Sequence, residues 1–151
     1  LTQMWNILFK IAFEDNNSYF YQLGDDILFD NVNFFDEYIN SLKKIDEIGV
    51  TGYLTKNGNR KILTQSFVSR KHYEIFGYYY PEAIRNVYCD DWISDVYRRF
   101  QKYKPLAQKI VNSGGRPRYR EEKKKRLVRS QIENGVQILK KYLDNQSKIN
   151  K

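Results

Sequence analysis

Apolar residues recur along the first third of the chain at two spacings. Three- and four-residue spacing predicts helices over residues 3–14 and 33–46. Short apolar runs that end in polar turns predict buried strands over residues 19–23 and 48–54. This helix-strand-helix-strand alternation predicts an α/β layer architecture, in which ligands collect beyond the carboxyl ends of the strands.

The remaining pattern is less regular but continues the same alternation. The aromatic run 78–80 precedes Pro81 and predicts an extended or turned loop. The other expected elements are an extended segment over 62–68, a short helix over 70–76, a helix from near Asp90 that ends before Pro105, a strand over 106–111, and a closing helix with Val128, Ile132, Val136, Leu139 and Leu143 on its apolar face.

Length and charge limit the classes of protein to consider. A chain of 151 residues is about one domain long, and its 41% hydrophobic and 29% charged residues are typical of a globular protein. Lysine and arginine balance aspartate and glutamate at 14 each over residues 1–115, whereas residues 116–151 carry 12 against 4. This basic tail suits phosphates, an anionic membrane or nucleic acid, and it equally suits a solvated helix face.

Few features bear on the cellular compartment. No apolar run approaches the roughly 18 residues of a membrane helix, and the first residues lack the pattern of a signal peptide. The single cysteine, Cys89, favours a reducing compartment such as the cytoplasm. The chain begins with Leu1, so a Golgi or ER location stays open if it is part of a longer polypeptide.

A first acidic pair follows the strand predicted over 19–23, in the sequence Gly24-Asp25-Asp26. Adjacent carboxylates at a strand end repel each other, and a divalent cation relieves that repulsion. Mg²⁺ or Mn²⁺ suits such a site, since these ions take one or two protein carboxylates and fill the other positions with water and phosphate oxygens. An acidic turn with a helix-capping role is the alternative.

A second acidic pair, Asp90-Asp91, lies where a helix is expected to begin. A carboxylate at the mouth of a cleft can act as a general base toward an attacking hydroxyl. The alternative is that Asp90 caps the helix and Asp91 is a first-turn acid.

These residues carry a resemblance to a known family. YFYQLGDDILFD (19–30) resembles the strand and Asp-x-Asp-type motif of GT-A-fold glycosyltransferases that use nucleotide-diphosphate sugars, although it reads Gly-Asp-Asp. GVTGYL (49–54) resembles their next strand, and residues 65–100 resemble the acceptor side of inverting members, where an acidic pair opens a helix. The resemblance covers about residues 1–120 and lacks the family's first, nucleotide-binding half.

The resemblance implies roles for both acidic pairs. Asp26, helped by Asp25, would bind the Mn²⁺ or Mg²⁺ that bridges the sugar-nucleotide diphosphate. Asp91, or else Asp90, would be the base for direct displacement at the anomeric carbon, with inversion. His72, the only histidine, is a further candidate metal ligand, because a histidine completes the metal shell in some GT-A enzymes. A surface position or a loop anchor is the alternative for His72.

Aromatic and basic residues complete the candidate site. Trp92, Tyr78 and Tyr79 are candidates for stacking on acceptor sugars, with packing in the core as the alternative for each. Arg116 and Arg118 are candidates for binding the donor diphosphate through paired guanidinium bonds, and an ordinary linker is the alternative.

The sequence therefore predicts a partial GT-A, Rossmann-like α/β fold, with a mixed sheet flanked by helices. Residues 1–115 would form the metal- and acceptor-binding half, and residues 116–151 a basic loop and helix. The expected function is transfer of a sugar from a nucleotide-diphosphate donor to a glycan, protein or lipid hydroxyl, by an active enzyme or an inactive remnant. A non-catalytic interaction module and a basic nucleic-acid-binding protein are the alternatives. The incomplete sheet also predicts an edge or apolar face for a second copy or for the family's missing N-terminal half.

Overall fold

The computed structural model describes residues 1–29, 33–57, 61–114 and 125–149. These residues form five helices and five strands in an alternating order. The elements are α1 (Thr2–Glu14), β1 (Tyr19–Gln22), β2 (Ile27–Phe29), α2 (Phe34–Lys43), β3 (Val50–Thr55), β4 (Ser66–Ser69), α3 (Lys71–Phe76), α4 (Cys89–Arg98), β5 (Tyr103–Asn112) and α5 (Lys125–Ile149).

All five strands belong to one mixed sheet with the order β1-β4-β3-β5-β2. β4 is antiparallel to both β1 and β3, β3 is parallel to β5, and β2 is antiparallel to β5. Strands β1, β3 and β5 therefore run in one direction and end at the same side of the sheet. We call this side, which also holds the amino ends of β2 and β4, the carboxyl edge.

The sheet is curled, because its two outer strands are close in sequence. Only residues 23–26 separate the end of β1 from the start of β2. The rings of Tyr21 on β1 and Phe29 on β2 lie 6.2 Å apart between centroids. Residues 23–26 thus cross the carboxyl edge from one outer strand to the other.

The two faces of the sheet have separate apolar cores. The curled face wraps around α2, and its buried residues are Tyr38, Leu42, Ile45, Tyr53, Phe67 and Ile110. The opposite face packs against the other four helices, and its largest buried side chains include Trp92, Tyr80, Tyr97, Leu63, Ile93 and Leu139. Helix α5 belongs to this second core through a stripe of Val128, Ile132, Gly135 and Leu139, and its basic residues lie on the exposed side.

The α/β class, the mixed sheet flanked by helices and the C-terminal helix are confirmed. β2 was not predicted, because three residues are too few for a periodic signal. β5 begins at Tyr103 and runs through Pro105, which the sequence pattern treats as a break. Pro105 lies opposite Gly52 of β3, and β2 pairs with β5 only at residues 110–112, so among the described residues β5 has no neighbouring strand on its other side at Pro105 and tolerates a residue without an N–H group.

Helix α1 has an exposed apolar face. Met4, Ile7, Leu8 and Ile11 are each about half exposed and repeat at helical spacing. Among the residues that the structure describes, no helix combines the length and apolarity that a bilayer crossing requires.

Candidate functional site

The first acidic pair lies on the carboxyl edge. Asp25 is exposed and Asp26, directly before β2, is half-buried. The Asp26 carbonyl oxygen accepts hydrogen bonds from the backbone N–H and the Oγ of Ser113, each at 2.8 Å. The segment that carries the acids is therefore fixed to the residues that follow β5.

Two glycines leave room for the Asp26 carboxylate. A Cβ atom on Gly24 would lie 2.5 Å from Asp26 Oδ1, and a Cβ on Gly114 would lie 1.9 Å from Oδ2. Non-bonded atoms do not approach this closely, so a side chain at position 114 would displace the carboxylate. The carboxylate thus occupies a space that exists because both positions are glycine.

Asparagines hold the carboxyl ends of β3 and β5 together. Asn57 Nδ2 donates to the Asn112 carbonyl at 2.7 Å, and the Asn112 N–H donates to Asn57 Oδ1 at 3.1 Å. The Gly114 N–H then donates to Asn112 Oδ1 at 2.9 Å. This chain of bonds positions Gly114 against Asp26, and it places amide oxygens beside the carboxylate.

The oxygen atoms around Asp26 suit one kind of metal site. Among the described residues, no group of three or more His, Cys, Asp or Glu side chains could hold an ion. One or two carboxylates fit Mg²⁺ or Mn²⁺ when a diphosphate and water supply the other ligands. A metal at this place would therefore depend on Asp25 and Asp26 together with a phosphate ligand and water. Arg116 and Arg118, the residues expected to contact that diphosphate, lie outside the described residues.

The second acidic pair opens helix α4. The helix starts at Cys89 and follows Tyr88, whose backbone is left-handed with φ 76°. L side chains adopt this conformation less often, but Asn16, Asp46, Glu47 and Gln101 also have positive φ in turns after helices, so this conformation does not distinguish the start of α4. Both Asp90 and Asp91 lie in the first turn, so the alternative in which Asp90 is the N-cap is wrong.

The surroundings of Asp90 and Asp91 disfavour the charged form of both carboxyl groups. Burial, and then the charge of Asp91, raise the pKa of Asp90 to about 6. Burial and the charge of Asp95 also raise the pKa of Asp91. Asp90 Oδ1 accepts the Asp91 N–H at 3.1 Å. Because the charge of Asp91 also raises the pKa of Asp90, the two carboxyl groups titrate as a linked pair. Carboxylates with raised pKa are suited to proton abstraction near neutral pH.

Tyr80 is hydrogen-bonded to the strand that precedes the first acidic pair. Its hydroxyl donates to Gln22 Oε1 at 2.8 Å, and Gln22 is the last residue of β1. Burial raises the Tyr80 pKa well above 10, and the charges of Tyr79, Cys89 and Asp90 contribute to the same shift. Tyr80 is thus anchored at the carboxyl edge.

Helix α4 is also attached to the segment that leads into β4. Ser94 Oγ accepts the Leu63 N–H at 3.1 Å, and both residues are fully buried. Gln65 Oε1 accepts from Thr64 Oγ1 at 2.8 Å and lies 3.2 Å from Thr55 Oγ1 at the end of β3. The bond between Ser94 and Leu63 fixes α4 relative to the segment that enters the sheet at β4, and Gln65 joins that segment to the end of β3.

His72 is buried and serves the core. Its Nε2 donates to the Tyr79 carbonyl at 3.1 Å, so Nδ1 accepts from the Tyr97 hydroxyl at 2.7 Å. Burial lowers the His72 pKa to about 4, which keeps the ring neutral. Because both ring nitrogens are hydrogen-bonded, His72 does not fit the role of a metal ligand, and that expectation is wrong. His72 is instead a buried residue that links α3 to α4.

Trp92 and Tyr79 are not surfaces for stacking sugars. Trp92 is 0% exposed, and its Nε1 donates to the Gln131 carbonyl of α5 at 2.9 Å. Tyr79 is 3% exposed, and its hydroxyl donates to the Ser66 carbonyl at 2.6 Å. Their expected contact with an acceptor is therefore wrong, because both rings fill the core. Tyr78 is only partly buried and remains a candidate.

Sequence reasoning did not single out Gln22, and it considered Tyr80 only within the aromatic run 78–80 and Gly114 only within the loop before Arg116. Gln22 had a local signal, since it is the polar residue that ends an apolar strand just before two acids. Tyr80 and Gly114 had none, because their importance comes from partners 58 and 88 positions away.

Comparison with known proteins found no relative of this chain. The chain matches no protein-family model, no curated protein and no solved structure.

Proposed function

We propose that this protein is the metal- and acceptor-binding part of a glycosyltransferase that moves a sugar from a nucleotide-diphosphate donor to an acceptor hydroxyl with inversion. The observation that best supports the proposal is the Asp90-Asp91 pair at the start of α4, whose pKa values are raised by burial. Gly24-Asp25-Asp26 lies on the carboxyl edge, where the Tyr80 hydroxyl donates to Gln22, and the charge of Asp90 contributes to the raised pKa of Tyr80. In open α/β sheets, ligands bind beyond the carboxyl ends of the strands.

The first pair is assigned to the donor. Asp26, with Asp25 beside it, would hold Mn²⁺ or Mg²⁺ together with the diphosphate. The ion neutralises charge that develops on the departing diphosphate. The glycines on either side of the Asp26 carboxylate leave its oxygens free of side-chain cover on those sides.

The second pair is assigned to the acceptor. One carboxylate of the Asp90-Asp91 pair removes the proton from the acceptor hydroxyl. The hydroxyl oxygen forms a bond to the anomeric carbon while the bond from that carbon to the diphosphate oxygen breaks, and the diphosphate leaves with the electron pair. A single displacement of this kind inverts the anomeric centre. The charge of Asp90 contributes to the raised pKa of Tyr80, whereas the pKa of Asp91 responds to Asp95 and Arg98 further along α4.

Titration calorimetry tests the assignment of the first pair. Each of UDP-glucose, UDP-N-acetylglucosamine and GDP-mannose would be titrated into the protein in the presence of Mn²⁺. Mutation of a residue that only hydrogen-bonds to a metal ligand typically weakens metal binding by about tenfold or more. Loss of a ligand itself should weaken it further, so we expect Asp26→Asn to reduce the affinity of metal-dependent binding by at least about tenfold. Asp15→Asn is the matched control, because it removes an exposed carboxylate after α1 and should leave binding unchanged.

Three results would contradict the proposal. Equal binding by the wild type and Asp26→Asn would show that the first acidic pair does not bind the metal. Absence of metal-dependent binding for the whole panel would favour the non-catalytic interaction module. Salt-sensitive affinity for RNA or DNA that is lost when residues 116–151 are deleted would favour the nucleic-acid-binding alternative.

A further inference from the structure

We propose that the outer side of helix α1 is a dimerisation surface, which binds the α1 helix of a second copy of this chain in an antiparallel pair. Dimerisation of this kind is independent of the proposed transfer reaction and needs neither metal nor donor. Three features of α1 support it: apolar residues on both of its sides, a stripe that matches its own reverse, and a lack of charge on that stripe.

Helix α1 is apolar on both sides. Its inner side packs on the core, where the ring centroid of Phe9 lies 4.6 Å from that of Phe20 and 4.9 Å from that of Tyr79. A helix that is apolar all round is buried all round in a folded protein. The outer side nevertheless carries five large apolar side chains that are each between 48% and 60% exposed: Leu1, Met4, Ile7, Leu8 and Ile11.

Exposed apolar residues are concentrated on this outer side. Among the residues that the structure describes, eight large apolar side chains are exposed, and five of them belong to this group. Single residues of this kind are ordinary on a protein surface, whereas a contiguous group marks an interaction site. The helix cannot turn to bury them, because Asn6 on its other side accepts the N–H groups of Tyr79 and Tyr80 at 3.0 Å and donates to the Tyr80 carbonyl at 2.8 Å.

The outer stripe matches its own reverse. Leu1, Met4, Leu8 and Ile11 are separated by alternating steps of three and four residues, the spacing of the contact positions in paired helices. In an antiparallel pair centred between Met4 and Leu8, Met4 lies opposite Leu8 of the second copy, and Leu1 lies opposite Ile11. A two-fold axis relates the copies, so each contact occurs twice and the assembly closes as a dimer.

The charges of α1 favour a second copy over an anionic membrane. The only charged side chains of the helix are Lys10 and Glu14, whose Nζ and Oε1 atoms lie 3.8 Å apart. A helix that lies on an anionic membrane is rich in lysine and arginine on its polar side. The uncharged stripe of α1 can instead face its own copy across a two-fold axis without repulsion between like charges.

The size of the surface predicts a reversible dimer. An interface of standard size involves about 20–30 residues from each partner. The outer side of α1 supplies five large apolar side chains. We therefore expect an equilibrium in which the fraction of dimer rises with protein concentration.

Sedimentation equilibrium at protein concentrations up to about 1 mM tests the dimer, since this range detects weak association. We expect the mass of the wild type to approach that of two chains. Leu8→Glu should raise the Kd for dimerisation by at least about 100-fold, because each dimer would bury two unpaired carboxylates. Leu28→Glu is the matched control, since Leu28 is a similarly exposed leucine on β2, and it should dimerise like the wild type. Both changes are at exposed positions and should leave the circular dichroism spectrum unchanged.

A mixture of two variants tests the antiparallel register. Met4→Glu and Leu8→Lys should each dimerise weakly alone, because each places two charges against apolar side chains. In the mixture the introduced carboxylate lies opposite the introduced ammonium, and the other contact between positions 4 and 8 stays apolar. We therefore expect a heterodimer that is tighter than either homodimer.

Three outcomes would overturn the proposal. The first is a monomer at every concentration, and if Leu8→Glu also abolished its binding to vesicles of phosphatidylcholine and phosphatidylserine, the outer side of α1 would be a membrane-binding surface. The second is a dimer that Leu8→Glu leaves intact, which would place the interface elsewhere. The third is a mixture of Met4→Glu and Leu8→Lys that forms no heterodimer, which would exclude the antiparallel pair.

Discussion

At the scale of single residues, the chain keeps acids where they are costly. Asp90 is held at the start of α4 with a pKa of about 6, beside a second acid. A carboxylate placed for structure alone is usually paired or solvated, so that its pKa stays low. An acid whose raised pKa lowers the stability of the folded protein is therefore a candidate functional residue.

Asp90→Asn should make the protein more stable at high pH. Because the pKa of Asp90 is raised on folding, the folded state binds more protons than the unfolded state between about pH 4 and pH 6. Stability therefore falls as pH rises through that window. We expect the variant to gain about 2 kcal/mol in the free energy of unfolding at pH 8 and almost nothing at pH 4, measured by urea denaturation.

The same variant separates stability from catalysis. A lost base lowers the turnover number by roughly 10²- to 10⁴-fold while metal-dependent donor binding is retained. Asp91→Asn, assayed in parallel, shows which member of the pair removes the proton. If both variants kept full transferase activity, the base would not be in this pair.

At the scale of elements, the position of α4 depends on its packing with α5. A Cβ atom on Gly135 would lie 2.8 Å from Val96 Cγ2 and 3.0 Å from both Cζ2 and Nε1 of Trp92. Glycine in the middle of a helix normally lowers helix stability. Its presence in α5 is explained by the close approach of the two helices.

Gly135→Ala should destabilise the protein in spite of the better helix former. Overpacking costs about 1–3 kcal/mol, which outweighs a gain in helix propensity of about 1 kcal/mol. Chemical denaturation measures the change, and Trp92 fluorescence should report the altered contact with the Gln131 carbonyl. Gln137→Ala, at an exposed position of the same helix, should be neutral or slightly stabilising. Stabilisation by Gly135→Ala would show that α5 does not pack on α4 in this way.

At the scale of the whole molecule, two buried ionisable groups act against each other as pH changes. His72 has a folded-state pKa of about 4 against an ordinary value of 6.5. The unfolded chain therefore binds more protons in that interval, and stability is lost as pH falls through it. Asp90 contributes in the opposite direction between about pH 6 and pH 4, so the wild-type profile should be nearly flat.

Removal of Asp90 should expose the contribution of His72. In an Asp90→Asn background we expect stability to fall by about 2 kcal/mol between pH 7 and pH 5. Adding His72→Gln should lower stability at pH 7 and abolish most of that fall. Denaturation curves at both pH values, for both variants, measure the difference. A fall that persists without His72 would assign the acid sensitivity to another group.

Much of the secondary structure could be predicted from local sequence. Helical spacing located α1, α2, α4 and α5, and short apolar runs located β1 and β3. The acidic pairs were also visible, because a strand end and a helix start can be recognised from neighbouring residues. β2 and the full length of β5 were not visible, since both depend on pairing with each other or with β3.

The sequence by itself determined the kinds of element, their order and the positions of the two acidic pairs along the chain. Only the tertiary structure decided which side chains border the carboxyl edge. It placed Trp92, Tyr79 and His72 in the core, and it brought Gln22 to Tyr80 and Gly114 to Asp26. The physical reason is range: periodicity reflects the geometry of a few neighbouring residues, whereas burial and hydrogen-bond partners depend on contacts between segments far apart in the chain.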